Sequence, residues 1–168
     1  MKKYIIILIL MVGVLLVVRN TDTQAEINYK DATYDINNLA VTLVDGYSES
    51  TTTQDSATKI ITKYFGNETI GDLNSDGIDD TAFIMTQELG GSGTFYYIAV
   101  ALGSKNGFIG KNAILLGDRI APQTTEIKDG EIIVNYADRA IGEPMTTKPS
   151  VGVSKYLKII NGSLQIAK

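Results

Sequence analysis

Two dipeptides constrain this chain more than any other feature. Asp129-Gly130 sits between apolar runs in "TTEIKDGEIIVNYA", and Asn161-Gly162 sits between apolar runs in "SKYLKIINGSLQI". A two-residue hairpin turn of type I′ needs φ > 0 at both central positions, and Asn, Asp and Gly meet that requirement at least cost. A chain punctuated this way folds back on itself, so its neighbouring strands run antiparallel. Asn37-Asn38 in "ATYDINNLAVTLVDG" has the same setting. "TAFIMTQEL" and "TFYYIAVAL" flank "GGSG", another hairpin signal, and "GFIGKNAILLG" continues the meander. "ATKIITKYF" carries Ala57, Ile60, Ile61 and Tyr64 at helical spacing. Its β-branched residues favour a strand instead, ended by Gly66. No sustained amphipathic helix follows residue 66, and no period of 20–50 residues repeats, which excludes a solenoid or a full propeller. The predicted class is mainly β: an N-terminal hydrophobic helix followed by one small antiparallel β domain over residues 34–168, built as a meander, sandwich or barrel.

The N-terminus is different in kind. Lys2 and Lys3 precede an unbroken apolar run over residues 4–18. As a helix these residues span about 22 Å at ~1.5 Å each, short of the roughly 30 Å hydrocarbon core. The run fits a signal-peptide core at its upper length or a short anchor aided by snorkelling of the Lys pair and Arg19. Residues 1–25 are therefore predicted as a signal-anchor or a signal peptide, with cleavage near Ala25 as the alternative. Residues 26–33 are predicted as a polar tether. The Lys pair stays cytoplasmic by the positive-inside rule, which places the remainder outside. The membrane partner is the cytoplasmic membrane, met through residues 4–18, and the location is the bacterial cell envelope.

Charge and missing residue types narrow the function. Without Lys2, Lys3, Arg19 and Asp22, 12 bases face 18 acids, a net charge of −6. Such a domain is a poor partner for nucleic acid and a fair one for cations. The chain has no Cys and no His. It therefore has no disulfide framework, no Cys- or His-type zinc site and no imidazole base for a Ser or Cys hydrolase. The expectation is a non-catalytic domain. A secreted binding or inhibitor module and a carboxylate-dependent hydrolase are the alternatives. Asp118-Arg119 reads as a turn, and residues 135–150 read as a long mixed loop holding Asp138, Arg139, Glu143 and Lys148. Of Tyr96 and Tyr97, which point to opposite faces, one is expected in the core.

The most specific motif is "GDLNSDGIDD". Counting Asp72 as the first position, Asn74 is third, Asp76 fifth, Gly77 sixth, Ile78 seventh and Asp80 ninth. Calcium takes six to eight oxygens, and a tightly curled loop aims alternate side chains inward, with a carbonyl at the seventh position. Gly77 permits the sharp turn. The predicted ligands are Asp72, Asn74, Asp76, Asp80 and the carbonyl of Ile78, holding one structural calcium ion. Asp79 either joins that shell or faces solvent. On this reading Leu73 points outward and Ile78 packs on the core. An Asn/Asp/Gly turn without an ion is the alternative. An EF-hand is excluded because its twelfth position would be Phe83 rather than Glu and because strands, not helices, flank the loop. The loop resembles those of integrin-like (FG-GAP) β-propeller repeats, in which a D-x-N-x-D-G-x-x-D run joins two strands.

"YFGNETIGDLNSDGIDD", "GGSGTFYYIAVAL", "LGDRIAPQTTEIKDGEIIVNYADR" and "GEPMTTKPSVGVSKY" occur in that order. Together they resemble a group of uncharacterised bacterial envelope proteins with an N-terminal anchor or signal and one β domain, across roughly residues 34–160. Related stretches accompany META-type domains. The resemblance implies export and a calcium-type loop, and no activity; for a domain placed there, an envelope protein or polymer is the expected class of partner.

Overall fold

A computed structural model describes residues 28–51 and 58–167. Among the described residues twelve strands follow one another: β1 (Thr33–Ile36), β2 (Leu39–Thr42), β3 (Tyr47–Thr51), β4 (Lys59–Gly71), β5 (Asp80–Glu88), β6 (Phe95–Ser104), β7 (Gly107–Gly110), β8 (Ile114–Asp118), β9 (Ala121–Lys128), β10 (Glu131–Asp138), β11 (Val151–Ile160) and β12 (Ser163–Ile166). A single 3₁₀ turn, Tyr29–Asp31, precedes them. The expected hydrophobic helix and the run over residues 4–18 lie outside the described residues. Among those described, no helix is long and apolar enough to cross a membrane.

The strands form three antiparallel layers without a crossover. Strands β3 to β7 make one sheet in chain order, with β8 continuing along the same edge of β6 as β7. Strands β9 to β12 make a second sheet, and β1 pairs β2 in a separate hairpin. All three predicted dipeptide turns have positive φ at both central residues: Asn37-Asn38, Asp129-Gly130 and Asn161-Gly162. A fourth of the same kind, Asp45-Gly46, joins Val44 to Tyr47; the sequence does not mark it as a hairpin because the residues after it, Tyr47–Thr51, are mostly polar.

Two cores share the middle layer. Ala82, Ile84, Ile98, Val100 and Leu102 face Ile132, Val134, Tyr136, Leu157 and Leu164 of the four-stranded sheet. Phe83, Met85, Tyr97, Ala99 and Ala101 face Ala32, Tyr34, Ile36 and Leu43 on the other side. This two-sided cover is why β5 and β6 are nearly continuous apolar runs rather than alternating ones. It also explains the Tyr pair: Tyr97 is core, while half-buried Tyr96 stacks edge-on against Phe65 at 5.3 Å. The stretch predicted as a tether joins the fold from Asn28 onward. Ala32 is buried, and Tyr29 stacks on Phe83 and Phe108. The strand expected over 57–65 is found from Lys59 onward, but Gly66 does not end it. Gly66 and Asn67 take positive φ in a bulge, and β4 runs on to Gly71. An extra residue bends a strand without breaking the ladder.

The residues between β7 and β8 join all three layers. The amide N–H of Asp35 donates to the Lys111 carbonyl, and that of Ala113 donates to the Asp35 carbonyl. The amide N–H of Lys111 donates to the Val100 carbonyl. The Asn112 side chain reaches the opposite way. Its Nδ2 donates to the Leu164 carbonyl at 2.9 Å and its Oδ1 accepts from the Leu164 N–H at 2.8 Å. It thus plays the part of a missing strand partner for β12. Asn112→Ala removes both bonds and should lower unfolding stability by about 1–3 kcal/mol, read by urea denaturation. Asn112→Asp should cost at least as much, because its second oxygen would face the Leu164 carbonyl.

Candidate metal centre

The acidic loop joins β4 to β5 at one end of the middle sheet. It is held by its own side chains. Asp72 Oδ1 accepts the amide N–H groups of Asn74, Ser75 and Asp76 at 3.3, 2.7 and 3.3 Å, and its Oδ2 accepts that of Gly77 at 3.0 Å. Asn74 Oδ1 accepts from Asp76 N–H at 2.9 Å, and Asp76 Oδ1 accepts from Ile78 N–H at 2.8 Å. Asn74 Nδ2 donates to Asp76 Oδ2 at 2.9 Å. Short Asn and Asp side chains favour such bonds to nearby backbone. Ser75 and Gly77 take positive φ, which curls the loop around the Asp72 carboxylate.

Asp80 has a different place. It is fully buried at the first position of β5. Its Oδ2 accepts from Leu73 N–H and its Oδ1 from Gly103 N–H, both at 2.8 Å. One carboxylate at the start of β5 thereby ties down the beginning of the loop on one side and β6 on the other. Gly103 has no room for a side chain: a Cβ there would stand 2.2 Å from the Asp79 carbonyl oxygen. Gly103 is a loop-positioning residue that no local motif marks, because its partner lies 23 residues away.

The two apolar loop residues exchange the places expected for them. Leu73 is 5% exposed and belongs to the core between the sheets, whereas Ile78 is 36% exposed. The bond from Leu73 N–H to Asp80 fixes the backbone so that the Leu73 side chain enters the sandwich. Asp79 faces solvent.

The electrostatics differ between the two ends of the loop. The N–H of Gly77 does most to hold the Asp72 carboxyl below the ordinary aspartate value; burial opposes it, and the N–H groups of Ser75, Asp76 and Asn74 add smaller downward pushes. Burial pushes Asp80 up. The Leu73 and Gly103 N–H groups oppose that rise, and the charges of Asp76 and Asp72 add to it.

The chain matches no family model, no curated protein and no solved structure. The reading of the loop therefore rests on its own donors. Asp72, Asn74 and Asp76 share the solvent-facing curl and present only hard oxygens, the kind calcium prefers. An ionised carboxylate offers about four lone-pair sites; Asp76 has two used and retains acceptor capacity, whereas Asp72 already accepts four N–H groups, three of them on Oδ1, and keeps room only on Oδ2. Among the described residues, no three acidic side chains already stand close enough together to form a cage. The fit is thus one of donor chemistry at Asp72, Asn74, Asp76 and the Ile78 carbonyl. Asp80 stands behind them, each of its oxygens already engaged once.

Proposed function

We propose that this protein is a non-catalytic β domain displayed outside the cytoplasmic membrane, held there through residues 4–18 and stabilised by one calcium ion in the loop over residues 72–80. Its role is binding or structural within the envelope. The observation that carries the calcium reading is the curl of Asp72, Asn74 and Asp76 on the solvent side of a buried carboxylate. The charges of Asp76 and Asp72 add to the upward push that burial exerts on Asp80, so negative charge accumulates at this end of the loop. A divalent cation in the curl offsets that repulsion. Asp72, Asn74, Asp76 and the Ile78 carbonyl would hold it, with water completing the shell, and Asp80 would add charge from behind. The ion would pin the β4–β5 connection and drive no reaction. An affinity of about 10⁻⁴–10⁻³ M suffices for an extracellular module.

Thermal unfolding of the detergent-solubilised full chain tests this reading. Calcium bound only to the folded state raises stability by about 2.7 kcal/mol at 100 times its dissociation constant. The midpoint should rise with calcium, less with magnesium, and return with chelator. Asp76→Ala should fold in chelator and lose the calcium response. A wild-type midpoint indifferent to calcium rejects the ion.

A further inference from the structure

Hairpin β1–β2, the β7–β8 connection and the β11–β12 turn enclose an open cleft of about 440 Å³. That size lies within the range of small-molecule sites, roughly 300–1,000 Å³. Its floor is backbone. A Cβ on Gly110 would stand 2.2 Å from the Thr33 carbonyl oxygen, so only glycine lets β7 approach β1 this closely. Gly162 of the β11–β12 turn adds another stretch without a side chain.

The polar groups of the cleft divide into two sets. Thr33 bonds to Thr42, and Asn112 is fully engaged by Leu164, so these two build the walls. Asp35, Lys111, Asn38 and Ser163 also line the cleft, and their side chains bond to no other described residue. Asp35 and Lys111 carry opposite charges but form no ion pair with each other or with another described residue. Their backbones are fixed relative to each other. The Asp35 N–H donates to the Lys111 carbonyl at 3.3 Å, and the Asp35 carbonyl accepts from Ala113 N–H at 2.8 Å, which locks the two backbones in register. No aromatic face is offered to a ligand, because Tyr34, the aromatic residue of the lining, is buried with its hydroxyl on the Tyr29 carbonyl. Stacking of a flat ring is therefore absent from the recognition chemistry. What remains is a carboxylate and an ammonium at a cleft floored by backbone, flanked by an amide and a hydroxyl.

We propose that this cleft binds a small zwitterion of amino-acid or dipeptide size, its ammonium on Asp35 and its carboxylate on Lys111. Asn38 and Ser163 supply hydrogen bonds to the atoms between. The site is separate from the acidic loop, and it gives the domain's binding role a ligand class.

The test is calorimetric titration of the detergent-solubilised full chain, with chelator throughout, using alanylalanine, its N-acetyl derivative and its C-terminal amide. Alanylalanine should bind saturably, and each blocked form should bind at least about tenfold more weakly, the weight of one charge-assisted contact. In Asp35→Asn, acetylation should no longer matter. In Lys111→Gln, amidation should no longer matter. Both side chains are uninvolved in the fold, so thermal midpoints should hold, and the three-ligand series on the wild type stands without the variants. Absence of saturable binding by alanylalanine overturns the proposal. So do variants that keep both preferences, or a neutral disaccharide that binds as well as the dipeptide. Because chelator is present, loss of the calcium response in the separate unfolding experiment leaves this result untouched.

Discussion

Asp80→Ala should destabilise the domain by about 2–4 kcal/mol at neutral pH and loosen the acidic loop. The Leu73 and Gly103 N–H groups each lose their acceptor, and an unsatisfied buried donor costs about 1–3 kcal/mol. Removing a carboxylate whose burial already disfavours its charge offsets part of that loss. Asp80→Asn should fall between, since its carbonyl can accept one N–H while its NH₂ meets the other. The pH dependence has a definite sign. The folded state holds the Asp80 proton more tightly than the unfolded chain does. The stability it contributes is full below the ordinary value of 3.8 and is lost as pH rises through the folded value. Asp72 runs the other way. Its contribution is present above 3.8 and lost as pH falls through the lowered folded value. Thermal midpoints between about pH 3 and pH 6 in chelator check both. The gap between wild type and Asp80→Ala should widen toward acid, and the gap to Asp72→Ala should narrow. A gap to Asp80→Ala that closes toward acid would contradict the burial argument.

Phe83→Ala should cost about 3–5 kcal/mol, the usual range for a buried phenylalanine. Phe83 is fully buried on the hairpin side of β5, with ring centroids of Tyr29 and Tyr34 at 5.5 Å and Tyr64 at 5.6 Å. It is the ring on which the N-terminal segment lands. Its loss leaves a cavity in the core that joins the hairpin to the middle sheet, where Phe83 packs with Met85, Tyr97, Tyr34, Ile36 and Leu43. Domain stabilities are commonly about 5–15 kcal/mol, so the variant should be marginal at 37 °C. Phe83→Leu keeps most of the volume and should cost roughly 1–1.5 kcal/mol. Urea midpoints, with near-UV circular dichroism of the Tyr cluster, separate the two. An Ala variant as stable as the Leu variant would show that the hairpin layer adds little to the fold.

The local part of this architecture was legible. Asn37-Asn38, Asp129-Gly130 and Asn161-Gly162 mark turns because the positive φ they adopt is a property of the residues themselves. The antiparallel meander follows directly from those turns. The spacing of Asp72, Asn74, Asp76 and Gly77 was equally readable, because the bonds that curl the loop span two to five residues. The covering of β5 and β6 on both faces was only half visible. A continuous apolar run says that a strand is buried, but not which layers bury it.

What the sequence by itself determined is where the chain turns and which short polar stretch is crowded with hard oxygens, since both depend on residues a few positions apart. Tertiary structure alone decided how these pieces are used. Asp80 has the spacing of a loop oxygen, yet its carboxylate is held by Gly103 on the next strand of the sheet. Leu73 and Ile78 traded core and surface for the same reason. Asp35 and Lys111, 76 positions apart in numbering, share a cleft because Gly110 lets two strands touch and Asn112 stands in for a strand. Such contacts are set by packing between layers, and no local pattern of residues encodes them.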